Sequence, residues 1–389
     1  MTGGAGGAGA AAGVPSAAPR RATISDVARE AGTGKTSISR YLNGELSVLS
    51  PELRARIEAA IERLDYQPNQ MARGLKRGRN RLIGMLLADL TNPYTVEVLQ
   101  GVEAACHALG YMPLICHAAN EIEMERRFVQ LLTTYRVEGV IVNALGVDEE
   151  TLRPVGGGGI PAVLVDRTID GLTADMVGLD NTAAARLAVE HLLERGFDDI
   201  RFVVQPFEHV SSRSLREAAF RDAIARGVNL LDGAHPTDAR AVRGETVVLD
   251  LTDPQAIERT LAALDASLDA VSAEGASVSR TPDDPADRLQ RVALFAANAP
   301  VALCLARHLN ARYGAQWHQR VALLSIDDPE WAELTGVTTI RQPTYDIGYR
   351  AVEFLHERID GANAPARDCL LPGELIARGS TARSATNLR

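Results

Sequence analysis

The strongest constraint on the fold is an alternation of strand and helix patterns that begins at residue 82. Apolar runs such as "RLIGMLLADL" and "GVIVNAL" alternate with helical stretches such as "YTVEVLQGVEAACHALG". Apolar strands separated by helices are typical of a doubly wound parallel sheet with helices on both faces. After "VGLDNTAAARLAVEHLLERGF" the alternation resumes with "IRFVVQP", "VALFAAN" and "VALLSID". The sequence therefore predicts an α/β body with two lobes.

Polar residues follow several of these predicted strands. In such sheets ligands bind beyond the carboxyl ends of the strands, so residues from different strands meet at one edge. A single polar residue there is often a turn former, whereas convergence from both lobes favours a binding site. The candidates are Tyr94, Asn143, Asp166, Arg167, Ser212, Arg213, Arg216, Asn298 and Asp327.

The residue types in this set indicate the chemistry of a ligand. Three arginines, Arg167, Arg213 and Arg216, can bind an anionic group, and each charge-assisted hydrogen bond contributes about 1.5–3 kcal/mol. The carboxylates and amides of the same set suit sugar hydroxyl groups. The combination favours a sugar acid over a neutral sugar.

Residues 23–43, "TISDVAREAGTGKTSISRYLN", have the pattern of two short helices joined by a tight turn. Thr23 and Asp26 fit a capping box, and Gly32 stands where a helix-ending glycine is expected. A third helix is predicted to begin at Ser50, where a capping serine precedes a proline and a glutamate. The segment is therefore predicted to be an all-α helix-turn-helix head.

The outward face of the second helix carries Lys35, Thr36 and Arg40. In a helix-turn-helix these positions meet base edges in the major groove. Residues 20–81 hold 13 Lys/Arg against 7 Asp/Glu, whereas residues 82–389 hold 28 against 43. A basic head on an acidic body indicates an anionic partner for the head. The alternative is a helical hairpin with a solvated basic face.

Residues 68–81, "PNQMARGLKRGRNR", join the head to the body. A helix of about seven residues is marginal in water, and Gly74 costs it about 1 kcal/mol more. The isolated Leu75 beside so many cations favours a segment that folds when a partner holds it. The alternative is a plain linker.

The head and this segment, with "RIEAAIERLDYQPNQMARGLKRGRNRLIGML", resemble the lactose-repressor (LacI/GalR) family of transcriptional regulators. The likeness is dense over residues 22–103 and continues in pieces to residue 381. It implies that two hinge helices pair in the minor groove, where Leu75 wedges between base steps beside Ala72. It also implies that Arg73, Lys76, Arg77, Arg79 and Arg81 neutralise phosphates. The DNA-binding candidates are Thr23, Lys35, Thr36, Ser37, Arg40, Asn43, Asn69, Ala72, Leu75 and Lys76.

The body resembles the periplasmic-binding-protein-like sensor of this family, which implies an effector cleft between the lobes lined by Tyr94, Asp166, Arg216, Asn298 and Asp327. The combination with "SSRSLREAAF" is also similar to sugar-acid repressors that answer to 2-ketogluconate. The chain departs from the family pattern at Gly34, Ala299, Ser325–Asp328 and near Asp250–Leu251, where a stacking aromatic is missing. These departures bear on the strength of the helix cap and on the effector that fits.

The predicted organisation has five parts. They are a disordered tail (1–21), the helix-turn-helix domain (22–68), a hinge helix and linker (69–81), a sensor N-terminal lobe (82–180 plus 341–368) and a sensor C-terminal lobe (181–340 plus 369–383). Within the C-terminal lobe, residues 265–291 are rich in Ser, Asp and Pro and are predicted to form a surface loop insertion.

Several classes of protein are disfavoured. The four cysteines lie far apart, which suits a reducing cytosol and gives no zinc or disulfide pattern. The sequence contains no long apolar span, no phosphate-binding glycine loop after a strand and no nucleophile–base pair. We therefore expect a cytoplasmic protein without cofactor, metal, membrane partner or enzyme activity. No leucine heptad follows the body, so a homodimer is expected.

The function predicted from the sequence is transcriptional repression. A dimer would bind a palindromic operator of double-stranded DNA and leave it when a sugar acid binds between the lobes. Two alternatives keep the same architecture: a corepressor that promotes DNA binding, and a regulator that answers to a neutral sugar. A more distant alternative is a sugar-binding or sugar-modifying protein.

Overall fold

The computed structural model describes residues 21–68, 79–143, 149–152, 155, 159–169, 171–208, 210–232, 242–277 and 292–382. The chain divides into two compact units, residues 1–80 and residues 81–389.

The described part of the first unit is a three-helix head with α1 (Ile24–Glu30), α2 (Lys35–Leu42) and α3 (Pro51–Arg63). The capping box at the start of α1 is present: the Thr23 amide and hydroxyl both donate to the Asp26 carboxylate, at 2.9 and 2.7 Å. Gly32 follows α1 with a φ of +62°, in the left-handed region that glycine adopts readily. The helices close over a small core of Val27, Ala28, Ala31, Ile38, Leu49, Ile57 and Ala60.

The second unit begins with the first lobe, whose strands and helices alternate as the sequence predicts. Its elements are β1 (Leu82–Leu87), α4 (Pro93–Leu109), β2 (Met112–His117), α5 (Ile122–Thr134), β3 (Gly139–Asn143), α6 (Glu149–Leu152), β4 (Ala162–Val165), β5 (Asp175–Leu179), α12 (Thr344–Ile359) and β11 (Asp368–Leu371). The strands form one sheet, the first of the unit, in the order β11-β5-β4-β3-β1-β2, and all its pairs are parallel.

The second lobe repeats the arrangement around a sheet of order β12-β10-β9-β8-β6-β7. Its pairs are parallel except for β12, which lies antiparallel to β10. The elements are α7 (Asn181–Glu194), β6 (Asp199–Val204), α8 (Ser211–Asp232), β7 (Arg243–Val248), α9 (Pro254–Ser277), β8 (Val292–Ala296), α10 (Ala299–Tyr313), β9 (Ala322–Ile326), α11 (Glu330–Thr335), β10 (Thr338–Arg341) and β12 (Glu374–Ile376).

Each sheet is covered by apolar side chains on both faces. On β1, Ile83 and Met85 belong to the cluster under α4 and α12, whereas Leu86 belongs to the cluster under α5. Two further clusters cover the faces of the second sheet in the same way. The predicted fold class, a helical head followed by a two-lobed α/β body with parallel sheets, is therefore confirmed.

The predicted boundary between the lobes near the C-terminus is wrong by a few residues. The prediction ended the N-terminal lobe at residue 368, but β11 pairs with β5 as far as Leu371, inside the first sheet. Likewise β10, in the second sheet, extends to Arg341, which the prediction gave to the first lobe. The chain leaves the first sheet at Pro372–Gly373, a pair of residues that interrupts strands.

The predicted loop insertion over residues 265–291 is wrong for its first half. Helix α9 continues to Ser277, and Leu264 and Leu268 are buried in the core of the second lobe. Asp265 pairs with His308 of α10 at 2.9 Å, so this stretch of α9 also makes polar contacts with its neighbour. The helical spacing of the leucines outweighs a composition typical of loops. Residues 278–291 lie outside the described residues.

Candidate functional site

A cavity of about 860 Å³ lies between the two lobes, at the carboxyl ends of the strands of both sheets. It is large enough for a small sugar-like molecule with its waters. All nine ligand-binding candidates named from the sequence line it: Tyr94, Asn143, Asp166, Arg167, Ser212, Arg213, Arg216, Asn298 and Asp327. Their role in binding a ligand stays a prediction.

Tyr94 is placed in the wall by the start of α4, where Asn92 caps the helix by accepting from the Tyr94 amide at 3.2 Å. The Tyr94 hydroxyl is buried and has no hydrogen-bond partner among the described residues. Burial raises the pKa of Tyr94, and the nearby Asp166 and Asp327 carboxylates raise it further. The hydroxyl therefore keeps its proton at neutral pH and can donate to a ligand.

Asp166 follows β4 with a left-handed φ of +60°, which aims its carboxylate into the cavity. Its Oδ2 lies 3.9 Å from Nη2 of Arg216, across the gap between the lobes. Its Oδ1 is buried and without a partner among the described residues. Burial raises the pKa of Asp166, whereas Arg216 and Arg167 oppose that rise. A left-handed aspartate with an unpaired oxygen is typical of a functional position.

The second lobe contributes two arginines from the first turns of α8. Arg216 is buried, and its Nε donates to Asn181 Oδ1 at 2.6 Å while its Nη1 donates to the Ala297 carbonyl at 2.6 Å. Arg213 donates to the Pro206 carbonyl at 2.5 Å and to Gln205 Oε1 at 3.2 Å. These bonds fix both guanidinium groups in the cavity wall.

Burial, together with the like charges of Arg167 and Arg216, lowers the pKa of Arg213 to about 10. Burial also lowers the pKa of Arg167, whereas Asp166 opposes that change. Arginine side chains stay protonated in proteins, so both groups are cations. The three guanidinium groups of the wall repel one another, and carboxylates of the same wall, Asp166 among them, offset that repulsion in part.

A polar chain continues across the floor of the cavity. Asp327 follows β9 with φ +76°, and its Oδ2 accepts from the Ala299 amide at 2.9 Å. Its Oδ1 accepts from Gln342 Nε2 at 2.5 Å, while Gln342 Oε1 is buried with no partner among the described residues. Asn298 caps α10 by accepting from the Val301 amide at 3.2 Å.

The remaining two candidates are both buried polar residues. Asn143 ends β3, and its backbone carbonyl accepts from the Ala88 amide at 2.8 Å. Ser212 lies in the first turn of α8. Together the nine candidates come from both lobes.

The prediction from strand ends missed three residues that take part in the hydrogen-bond network of the cavity wall. Gln205 follows β6 and accepts from both Arg213 and Asn298, the latter at 2.6 Å. Gln342 follows β10, and Asn181 follows β5 after one residue. Each stands just past a strand, so the same rule applied to every strand would have found them. Trp331, Leu303 and Leu251 add an apolar section of wall.

The head presents its predicted DNA-binding residues as follows. Lys35, Thr36 and Arg40 are exposed on α2, whereas Ser37 and Asn43 are partly buried. The Thr23 side chain is engaged in the α1 capping box. Gly34 stands at the N-cap of α2 and offers no side chain to cap it. Asn69, Ala72, Leu75 and Lys76 lie outside the described residues.

Within the described ranges, no group of three or more His, Cys, Asp or Glu side chains is placed to hold a metal ion. Across the same ranges, no helix is both long and apolar enough to cross a membrane.

Comparison with known proteins agrees with the architecture. Residues 23–69 match "Bacterial regulatory proteins, lacI family", and residues 80–229 match "Periplasmic binding proteins and sugar binding domain of LacI family". Residues 189–381 match "Periplasmic binding protein-like domain". The crystal structure of the lac repressor dimer bound to operator and the anti-inducer ONPF has a TM-score of 0.72 at 22% identity, covering 93% of this chain and 99% of that chain. This likeness shows the fold.

Two curated relatives share more of the sequence. The HTH-type transcriptional regulator PtxS of Pseudomonas aeruginosa is 40% identical over 363 residues, covering 93% of this chain and 96% of the relative. The HTH-type transcriptional regulator KdgR of Bacillus subtilis is 31% identical over 361 residues, covering 92% and 97%. The chain therefore belongs to the lacI family of bacterial regulatory proteins and is a DNA-binding transcriptional repressor, not an enzyme.

Proposed function

We propose that this repressor binds a palindromic operator as a homodimer in the cytoplasm and leaves it when a sugar acid occupies the interlobe cavity. The effector is a polyhydroxy carboxylate resembling 2-ketogluconate. The observation that carries the proposal is the pairing, in one cavity, of three arginines with three buried polar atoms that lack partners among the described residues.

The arginines favour an acid. Arg167, Arg213 and Arg216 bring three positive charges to one cavity, and burial lowers the pKa of the first two. Helices α4, α8 and α10 also begin at the cavity, and their first turns carry a partial positive charge. A carboxylate is the sugar substituent that both features stabilise.

The unpaired atoms favour hydroxyl groups on the same ligand. Asp166 Oδ1 and Gln342 Oε1 are acceptors, and the Tyr94 hydroxyl both donates and accepts. A buried polar atom without a partner costs about 1–3 kcal/mol, so a ligand that supplies the missing bonds recovers that free energy. The apolar wall at Trp331 and Leu303 suits the carbon skeleton of a sugar.

On the DNA side, α2 would enter the major groove, with Lys35, Thr36 and Arg40 at base edges. The segment with Asn69, Ala72, Leu75 and Lys76 would form a hinge helix that pairs with its partner in the minor groove. Effector binding would move the first lobes apart or past one another and break that pairing. Switching occupancy from 99:1 to 1:99 requires about 5.5 kcal/mol of differential binding, which two effectors with several charged contacts can supply.

Calorimetric titration of the full-length protein tests the ligand class. The panel is 2-ketogluconate, gluconate and glucose, three polyhydroxylated six-carbon compounds of which only the first two carry a carboxylate. We expect both acids to bind and glucose to bind at least about tenfold more weakly, since one charge-assisted bond contributes about 1.5–3 kcal/mol. Equal binding of glucose and the acids would point instead to a neutral-sugar regulator.

A further inference from the structure

We propose that Arg81 is a positioning residue for operator binding. The residue stands immediately before β1, where the chain enters the sensor from the segment that leads to the head. Its bonds fix the backbone at the point where the chain, from residues 79 and 80, enters the sensor. The proposal rests on operator binding and not on the identity of the effector. It is an alternative to the expectation that Arg81 neutralises a DNA phosphate.

The backbone of Arg81 is held on both sides by the sensor. Its amide donates to Glu138 Oε1 at 2.6 Å, and its carbonyl accepts from the Met112 amide at 2.8 Å. Glu138 precedes β3, and Met112 begins β2. The residue is therefore tied to the start of β2 and to the residue before β3, the two neighbours of β1 in the sheet.

The side chain of Arg81 makes two further contacts with the residues that precede β2. Nη1 donates to the Leu109 carbonyl at 3.2 Å, and the guanidinium carbon lies 5.2 Å from the centre of the Tyr111 ring. The cation is thus turned toward the sensor surface.

The backbone conformation of Arg81 supports a positioning role. Its φ of +59° lies in the left-handed region, which non-glycine residues adopt rarely because of steric strain. Such a conformation persists when the surrounding contacts determine it. Here two backbone bonds and two side-chain contacts do so, and the left-handed turn sets the path of the preceding residues.

The Tyr111 ring links this anchor to a helix that also reaches the effector cavity. The Tyr111 hydroxyl is hydrogen-bonded to Nδ1 of His356 at 2.9 Å, and the two rings meet edge to face. His356 lies on α12, whose first residue, Thr344, comes two residues after Gln342 of the cavity. If α12 moves when the effector binds, the Tyr111–His356 pair therefore transmits that movement to the contacts of Arg81.

Operator affinity of variants tests the proposal. The probe is the DNA duplex that the wild-type protein selects from a random-sequence pool, and binding is followed by fluorescence anisotropy at several salt concentrations. We expect Arg81→Ala to weaken binding at least tenfold. Arg127→Ala, which removes an equal charge from an exposed site on α5, serves as the control and should bind like the wild type.

Tyr111 separates positioning from a phosphate contact, because its side chain carries no charge. Under the proposal, Tyr111→Leu also weakens operator binding, Tyr111→Phe keeps it, and the Arg81→Ala/Tyr111→Leu double variant loses less than the two single losses combined. The salt dependence of binding stays as in the wild type. Thermal unfolding and sedimentation confirm that each variant remains folded and in the same oligomeric state.

Two results would overturn the proposal. In the first, Arg81→Ala lowers the salt slope by about 0.9 per lost phosphate contact while Tyr111→Leu has no effect, so that Arg81 contacts DNA directly. In the second, Arg81→Ala binds like Arg127→Ala. A wild-type protein that selects no duplex would instead refute operator binding itself, and the positioning role with it.

Discussion

At the scale of single residues, the interlobe cavity is marked by polar atoms that the protein leaves unsatisfied. Tyr94, Asp166 and Gln342 each bury one such atom, counted over the described residues. Folded proteins pair nearly all their buried polar groups, so three exceptions in one cavity indicate a ligand that completes them. Removing such an atom should therefore leave the free protein as stable or slightly more stable, while it lowers the affinity for the ligand.

Tyr94→Phe tests this opposition. Removing a buried hydroxyl that lacks a partner should leave the stability of the free protein unchanged or slightly higher. Affinity for the sugar acid should fall about tenfold, because one hydrogen bond to the ligand is lost. Calorimetric titration measures the affinity and urea unfolding the stability. The exposed Tyr345→Phe is the control; an unchanged affinity in Tyr94→Phe would exclude the hydroxyl from ligand binding.

Asp175 shows a different use of a buried carboxylate. Arg358 donates to it at 2.7 and 2.8 Å, and the Arg367 amide donates at 2.9 Å. Burial alone would raise the pKa of Asp175, but these hydrogen bonds outweigh burial and lower it. A carboxylate so held joins α12 to the segment before β11 and stabilises the first lobe.

Asp175→Asn should lower the free energy of unfolding by about 3 kcal/mol at pH 7, because two arginines lose their counter-charge. The pKa of Asp175 is lower in the folded than in the unfolded state. The stabilisation is therefore complete above the unfolded pKa of about 3.9 and is lost as pH falls through the folded pKa.

Urea unfolding of Asp175→Asn and the wild type at pH 7 and at pH 4 and below measures this linkage. The stability difference should shrink as the solution is acidified. The exposed Asp346→Asn serves as the control and should show no such difference at pH 7. A difference that stays constant with pH would contradict the linkage.

At the scale of secondary-structure elements, helices α4 and α12 cross so closely that glycine is required at the contact. A Cβ on Gly101 would collide with the Tyr345 carbonyl oxygen, and a Cβ on Gly348 would collide with the Val98 carbonyl oxygen. Neither neighbour is a flexible side chain, so the backbones would have to separate. Because α4 begins beside Tyr94 and α12 begins beside Gln342, this contact makes one rigid body of two helices that meet the cavity.

Gly348→Ala should therefore destabilise the protein by about 1–3 kcal/mol, although alanine is the better helix former. Urea unfolding followed by circular dichroism measures the loss. Arg350→Ala, an exposed change on the same helix, should stay within about 0.5 kcal/mol of the wild type. If Gly348→Ala were as stable as the wild type, the close crossing would be wrong.

The elements differ in how well the sequence predicts them. The first strand of each lobe is predictable, because it is apolar on both faces and a helix follows it. Strand β7 ("RGETVV") is missed, because it lies at the edge of its sheet and is largely exposed. The composition of residues 265–277 hides α9, whose buried face consists of a few spaced leucines. Edge strands and amphipathic helices depend on their neighbours more than on their own residues.

The candidate site is likewise predictable from the sequence only in part. Strand ends identify nine residues that the structure brings together, because parallel strands bring their carboxyl ends to one edge. Gln205 and Gln342 also stand just past a strand, so the same rule reaches them, whereas their contacts with Asn298 and Asp327 are seen only in the structure. The resemblance implies a phosphate contact for Arg81, whereas its left-handed backbone and its contacts with Leu109 and Tyr111 are seen only in the structure.

At the scale of the whole molecule, the charge is divided between two functions. Residues 20–81 carry 13 Lys/Arg against 7 Asp/Glu, whereas the acidic body groups three of its arginines inside one cavity, beside the carboxylates of Asp166 and Asp327. Under the proposed function, an anionic effector binds at those arginines, while the acidic body repels DNA. This division is what a repressor needs if its ligand and its operator are both anions.

The most direct test of the central claim is release of the operator by a sugar acid. The selected duplex is labelled, bound by the full-length protein and titrated with 2-ketogluconate or glucose while anisotropy is recorded. We predict that the acid releases the wild-type complex, that glucose does not, and that Arg213→Gln binds the duplex normally yet needs at least about tenfold more acid for release. Release by glucose as readily as by the acid, or anisotropy that rises with the acid, would contradict the account.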